Sequence, residues 1–333
     1  MLVDAHTHVL PRDYPAGAPE CFPRMEPIDG DSARELLWGA LRYRARDVFF
    51  DAERRVAEQE AEGVDVEVLS PMPPLLRYDL PAAEGLSLAR HVNEFTAALS
   101  AAAPGRLIGF GMVPMQDPDA AAAELKAIRD QGLCGVEITS NVLGASIGEE
   151  RFRGFFTEAQ RLDLPVFVHA MPAATDRLPK SAAGTYVVGL EGAMAAASMI
   201  AGGTAEACPD LRISFSHGAG GLAMMLPRAQ YFWAGTWNEE PAKPDRAIAH
   251  VGPAPLELAR RFWYDGAVFD RRAVRYLVDL LGADRLLVGS DYPAMPREEP
   301  AGATVRSVEL TPEQLEDVTW RNAFRWLGTQ SAR

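Results

Sequence analysis

Cysteine is scarce in this chain. There are three in 333 residues, Cys21, Cys134 and Cys208, widely spaced and without a C-x-x-C pair. That argues against a disulfide framework and leads us to expect a reducing, cytoplasmic compartment. Positive charge is also in short supply. Lys and Arg total 33 against 46 Asp and Glu, for a net charge of −13. Nucleic acid and anionic membrane are therefore poor candidates as partners, although local charge can still attract a small anion. No apolar run reaches the roughly 20 residues of a membrane span. Asp4, His6 and His8 interrupt the N-terminal stretch, so no secretory leader is read there. The small-residue stretch from Gly189 to Gly203 contains Glu191 and reads as a packed helix.

What is present describes an ordinary globular enzyme-sized chain. Hydrophobic residues make up 48% and charged residues 24%. The length suits one or two domains, and a single α/β barrel reaches it as one. Apolar strand candidates fall near 2–6, 64–70, 107–113, 134–139, 165–169, 211–216, 261–265 and 285–290. Helical stretches fill the intervals near 51–62, 84–102, 117–131, 149–162, 187–207, 221–233, 255–260, 270–282 and 311–327. Asp117-Pro118 and the capping box Thr311-Pro312-Glu313-Gln314 open two of these helices. Gly63, Gly132 and Gly282 each follow a helix and precede a strand, the place of a C′ glycine. Eight β–α units in series predict a (β/α)₈ TIM barrel over 1–333, with a doubly wound sheet as the rival. Residues 11–50 form an inserted segment after strand 1, expected to be a lid or substrate wall over the barrel mouth. Stretches 170–186 and 234–254 read as further irregular segments.

The chain holds only six histidines, and four end apolar strands. His6 and His8 sit in Val3-Asp4-Ala5-His6-Thr7-His8-Val9, one residue apart and on one side of a strand. Asp4 shares that face by parity and reads as an inner-layer partner. Leu164-Pro165-Val166-Phe167-Val168-His169 and Leu211-Arg212-Ile213-Ser214-Phe215-Ser216-His217 repeat the pattern. Arg285-Leu286-Leu287-Val288-Gly289-Ser290-Asp291 repeats it with a carboxylate. These groups follow predicted strands 1, 5, 6 and 8. Only a closed barrel brings strand 1 beside strand 8, so the pattern favours the barrel over the open sheet. Three imidazoles and a carboxylate suit Zn²⁺, and N/O donors of this kind also hold Mn²⁺ or Fe²⁺. A fourth histidine beside a bound water would serve as general acid/base.

These segments, together with Gly109-Phe110-Gly111-Met112-Val113-Pro114-Met115-Gln116, Cys134-Gly135-Val136-Glu137-Ile138 and Asn322-Ala323, resemble the amidohydrolase superfamily. More narrowly they resemble the branch that contains the 2-amino-3-carboxymuconate-6-semialdehyde decarboxylases. The resemblance covers nearly the whole chain. It implies that His6, His8, His169 and Asp291 bind one divalent metal and that His217 is the catalytic histidine. It implies that Arg228, on the helix after His217, reaches a neighbouring subunit's site and holds the substrate carboxylate, so the chain is expected to be a homodimer. A second substrate arginine is implied on the inserted segment, at Arg42 or Arg44. The implied activity is decarboxylation of a small carboxylated, conjugated or phenolic substrate, with a metal and no organic cofactor. The alternative is metal-dependent hydrolysis of a lactone, ester or amide. Two departures bear on the substrate. Ala170-Met171-Pro172 stands where the semialdehyde decarboxylase has Pro-Trp, and the inserted segment lacks that enzyme's Gly-rich aromatic sequence. Glu137 stands where binuclear amidohydrolases carry a bridging ligand and is read as an interior polar residue.

Overall fold

A computed structural model describes residues 1–15, 18–19, 22–39, 41–174, 177–234 and 252–329. The chain opens with β1 (Val3–Val9), then an antiparallel sheet of β2 (Arg24–Pro27), β3 (Arg34–Trp38) and β4 (Leu41–Ala45). Next come α1 (Ala52–Glu62), β5 (Val66–Pro71), α2 (Ala82–Ala101), β6 (Leu107–Met112), α3 (Pro118–Asp130) and β7 (Gly135–Thr139). A small hairpin, β8 (Asn141–Val142) and β9 (Ala145–Ser146), precedes α4 (Arg153–Arg161) and β10 (Val166–His169). The second half runs α5 (Val188–Ala201), α6 (Thr204–Ala207), β11 (Ile213–Phe215), α7 (Leu222–Trp233), α8 (Pro255–Ala259), β12 (Trp263–Asp265), α9 (Arg271–Leu281) and β13 (Leu286–Leu287). It closes with α10 (Ala303–Arg306), α11 (Pro312–Glu316) and α12 (Asn322–Leu327).

Eight strands form one parallel sheet in the order β1-β5-β6-β7-β10-β11-β12-β13. The last closes on the first. Asp4 bridges Val288 and Thr7 bridges Tyr292, with Ala5 N–H donating to Val288 O at 2.8 Å and His8 N–H to Tyr292 O at 2.7 Å. The result is the expected (β/α)₈ barrel. Its helices show why they pack. In α9, Val274, Leu277, Val278 and Leu281 recur at helical spacing and are buried. Asp117 caps α3 by accepting from Ala120 N–H, and the Thr311/Gln314 capping box is formed. Inside the barrel, Val3, Ala5, Val66, Val68, Phe110 and Phe167 meet Trp326 of α12. That layer fills the floor, each large side chain contributing about 1.5–3 kcal/mol of burial. The C-terminal mouth is left for chemistry.

Two features differ from the sequence expectation. The inserted segment contains the β2–β3–β4 sheet, with Leu36, Trp38 and Ala45 buried in the main core and Arg42 and Arg44 exposed. Its charged residues alternate with apolar ones, so the strands are one-sided and look polar when read as a block. The second difference lies in β1. Asp4 pairs with Glu67 and Thr7 with Leu69, three steps on one strand against two on the other. This bulge reverses the parity, so Asp4 faces away from His6 and His8. Asp4 instead accepts from Arg297 at 2.9 Å and from Ser290 Oγ–H at 2.5 Å, behind the strand. The segment 234–254, read as irregular, falls almost wholly outside the described residues.

Candidate metal centre

The strand ends converge. One ligand atom each from His6, His8, His169 and Asp291 lies within 4.8 Å of the others. His8 Nε2 is 2.9 Å from Asp291 Oδ1, His6 Nε2 is 3.6 Å away and His169 Nε2 3.9 Å. His6 and His8 turn their Nε2 atoms toward each other at 3.2 Å. Their other nitrogens are engaged. His6 Nδ1–H donates to Asp265 Oδ2 at 2.7 Å and His8 Nδ1–H donates to Pro71 O at 3.2 Å. With Nδ1 carrying the proton, both Nε2 lone pairs aim at the centre. Two facing lone pairs at 3.2 Å repel unless a cation lies between them.

Three further observations test the fit of a metal. His169 is buried, and among the described residues neither ring nitrogen has a hydrogen-bond partner. Burial pushes its pKa down to about 3, so it is a neutral donor. Asp291 is 14% exposed, and its ion-pair partners among the described residues are all histidines. Burial alone would raise its pKa, yet the surrounding imidazoles outweigh burial and hold the carboxyl well below its usual range. A buried carboxylate with no Lys or Arg partner among the described residues, facing three imidazoles, is a site for a divalent cation. The four residues fit that group.

Backbone geometry serves the same end. His217 and Asp291 both sit at positive φ, 52° and 62°. Non-glycine residues rarely adopt that region, and such strain clusters at functional sites. Gly289 precedes Ser290-Asp291 because a Cβ there would lie 2.8 Å from the Cβ of His6 and 2.9 Å from that of Asp265. Only glycine lets the last barrel strand approach both.

His217 stands beside the cluster. Its Nδ1–H donates to Ala267 O at 3.3 Å, and its Nε2 is 3.9 Å from Asp291 Oδ2. The other predicted residues lie elsewhere. Arg228 is exposed on α7, its guanidinium 4.6 Å from the Phe232 ring, and does not enter the site of its own chain. Arg42 donates to the carbonyls of Gly39 and Leu41, each at 2.9 Å, while Arg44 pairs with Asp31. Neither arginine of the inserted segment bonds a residue of the cluster. Glu137 is fully buried, and among the described residues neither of its oxygens has a hydrogen-bond partner. Burial, reinforced by the charge of Asp291, pushes its pKa well above 4.5, and it stands outside the four-residue cluster.

One residue of the site escaped the sequence reading. Asp265 ends β12, is 1% exposed and orients His6. Burial opposes its ionisation, and His6 outweighs burial, so its pKa falls below the ordinary value. The signal was there: Phe262-Trp263-Tyr264-Asp265 is another apolar strand ending in an acid.

An eight-stranded parallel barrel with a histidine–aspartate cluster at its C-terminal mouth belongs to the class of metal-dependent barrel enzymes. The chain is a member of the amidohydrolase family, whose sequence profile matches residues 3–329. It is 30% identical to the 2-amino-3-carboxymuconate-6-semialdehyde decarboxylase of Dictyostelium discoideum, over 98% of this chain and 91% of that protein. The structure is similar to the 5-carboxyvanillate decarboxylase of Sphingomonas paucimobilis, with TM-score 0.71, 26% identity and 83% of each chain covered. It shares its fold with a dihydroxybenzoic acid decarboxylase of Polaromonas sp. JS666, with TM-score 0.72, 23% identity, and 85% of this chain and 88% of that one covered. That structure holds manganese and the inhibitor 2-nitroresorcinol.

Proposed function

We propose that the protein is a metal-dependent decarboxylase, without an organic cofactor, acting on a small carboxylate attached to a conjugated or phenolic frame. The observation that carries this reading is the cluster of His6, His8, His169 and Asp291 with His217 beside it, in a chain whose named relatives are decarboxylases. We assign His6, His8, His169 and Asp291 as ligands of one divalent ion. Zinc is preferred to manganese because imidazole donors outnumber carboxylate oxygens. When bound, the ion supplies Lewis acidity toward a substrate oxygen.

The chain's own groups do the rest. Asp265 keeps His6 in the tautomer whose Nε2 faces the centre. His217 is the proton-transfer group. Its Nδ1–H is engaged with Ala267 O, so Nε2 can deliver a proton only from the imidazolium form, which carries a proton on each nitrogen and returns to the neutral ring as the carbon is protonated. The carbon–carboxylate bond breaks, its electron pair stays on the frame carbon, that carbon takes the proton, and neutral CO₂ leaves. The β2–β3–β4 sheet walls the mouth. The free cysteines Cys134 and Cys208 support a reducing, cytoplasmic location.

Arg228 is assigned to a second copy's site, where its fork would bind the substrate carboxylate. The surface around it supports a homodimer. Met224, Met225 and Tyr231 on α7 are exposed, as are Tyr186, Leu190 and Met194 on and just before neighbouring α5. An apolar face of this kind around an unburied guanidinium fits a self-association surface. The helical stretch Lys180–Ala201 is long and apolar enough to cross a membrane by length and composition, with mean hydropathy 1.2. However, Ala193, Ala195, Ala196 and Met199 pack inward, and Glu191 accepts from Asn141 at 3.1 Å.

The test follows CO₂ release from 5-carboxyvanillate and 2,6-dihydroxybenzoate by zinc-loaded and manganese-loaded protein. Release that requires the metal supports the reading. No release from either, or hydrolysis of lactones instead, contradicts it. For the dimer, inactive Arg228→Ala and His217→Ala proteins are mixed under subunit exchange. A shared site returns part of the activity, because one of the two sites escapes both lesions. No recovery despite proven exchange would remove Arg228 from its assigned place.

A further inference from the structure

The lid carries three arginines in six residues, Leu41-Arg42-Tyr43-Arg44-Ala45-Arg46, and all three are committed elsewhere. Arg42 is bound to main-chain carbonyls of its own turn, Arg44 to Asp31, and Arg46 to Glu58 at 2.5 Å. The alternation of β4 places Tyr43 on the opposite face from Arg42 and Arg44, on the side of buried Ala45. Its ring packs edge-on against buried Phe49, with centroids 5.8 Å apart. Phe49 is itself tied to the end of the ligand strand, its carbonyl accepting from Leu10 N–H at 3.2 Å. Among the described residues the Tyr43 hydroxyl has no hydrogen-bond partner.

We infer that Tyr43 O–H is the lid's substrate contact, and that it selects phenolic monocarboxylates over dicarboxylates. This rests on the decarboxylase reading of the same site. The chemistry follows from the side chain. A phenol offers one neutral donor and an aromatic face, which suit a hydroxyl or phenolate oxygen on a flat ring. It brings no positive charge for a second carboxylate, whereas a guanidinium at that place would bind both oxygens of one. The donor stays protonated at neutral pH, because burial and the negative charge of Asp291 raise its pKa and outweigh the opposing charge of Arg46. The packing of Tyr43 on Phe49, whose carbonyl holds Leu10 two residues past His8, sets the phenol beside the end of the ligand strand, on the face opposite Arg42 and Arg44.

The experiment uses metal-loaded protein with Tyr43→Phe, Tyr43→Arg and the control Arg44→Ala. Binding of 2-nitroresorcinol is titrated, and kcat/KM is compared for 2,6-dihydroxybenzoate and 5-carboxyvanillate. The expected result for Tyr43→Phe is unchanged metal content, about tenfold weaker 2-nitroresorcinol binding and a KM for 2,6-dihydroxybenzoate raised about tenfold, the scale of one hydrogen bond to a charged partner. Tyr43→Arg should move the kcat/KM ratio about tenfold toward 5-carboxyvanillate. Arg44→Ala should behave as the parent. The inference is overturned if Tyr43→Phe binds 2-nitroresorcinol as the parent does, or if Arg44→Ala suffers the loss instead. It is also overturned if the parent binds no 2-nitroresorcinol. A parent that binds it, weakens with Tyr43→Phe and releases no CO₂ would sustain the contact while ending the decarboxylase reading.

Discussion

Each face of β1 meets a buried carboxylate, and the two faces resolve it in opposite ways. Behind the strand, Asp4 and Glu67 are buried carboxylates, closed by guanidinium groups. Arg297 bonds Asp4, Glu62 and Glu67, and Arg55 bonds Glu67 as well as the carbonyl of His8 at 2.9 Å. In front, His6 and His8 face Asp291 and His169, and among the described residues His169 has no hydrogen-bond partner and no Lys or Arg pairs with Asp291. One face supplies its own cations, and the other is built to receive one. The contrast teaches that the front is not a defective salt-bridge network. A buried carboxylate left without internal cations is costly unless something else is bound there.

The comparison breaks most severely at its front. Asp291→Asn removes the only formal negative charge among the four assigned ligands. Metal content should fall to near zero and turnover with it, beyond the roughly 10–100-fold cost of an outer partner. Metal analysis of the purified variant checks this. His217→Ala comes next. It should keep full metal stoichiometry and lose turnover by roughly 10²–10⁴-fold if it moves a proton. Near-parental kcat would remove that role. Asp265→Asn should weaken metal affinity by about 10–100-fold, as second partners of metal-bound histidines do. Competition with a chelator of known affinity measures it.

The back face sharpens the comparison by failing differently. Arg297→Met removes a cation from between buried carboxylates, and such losses cost about 3–5 kcal/mol. Denaturant unfolding should register it, while the folded fraction keeps its metal. Acid should expose the same network. Glu67 is opposed by burial, but Arg55 and Arg297 outweigh this and hold its pKa below the ordinary 4.5. Its contribution is therefore present above that value and lost as pH falls through the lowered one. With Arg297 gone, the Glu67 pKa rises and the acid loss should begin at higher pH.

How much of this was legible beforehand depended on locality. Strand ends such as Val168-His169 and Ser290-Asp291 announced the clustered donors because apolar runs and a final donor lie together in sequence. The bulge that turns Asp4 away from His6 was not legible, because the register shift appears only once β1 is paired with β5. Asp265 had the right local pattern, but its role depends on the ring of His6, 259 residues away in sequence. The lid read as an irregular basic stretch. Its alternation puts Arg42 and Arg44 on the exposed face and Tyr43 on the face of buried Ala45, and alternation has meaning only after β4 is known to be a strand.

The most direct test of the central claim is a zinc titration of chelator-stripped parent protein beside Asp291→Asn, following bound metal and thermal midpoint together. The contrast between the two faces predicts one ion per chain in the parent, with a midpoint that rises as metal is added, and neither response in the variant. A parent that binds no stoichiometric ion and shows no change in midpoint would contradict it.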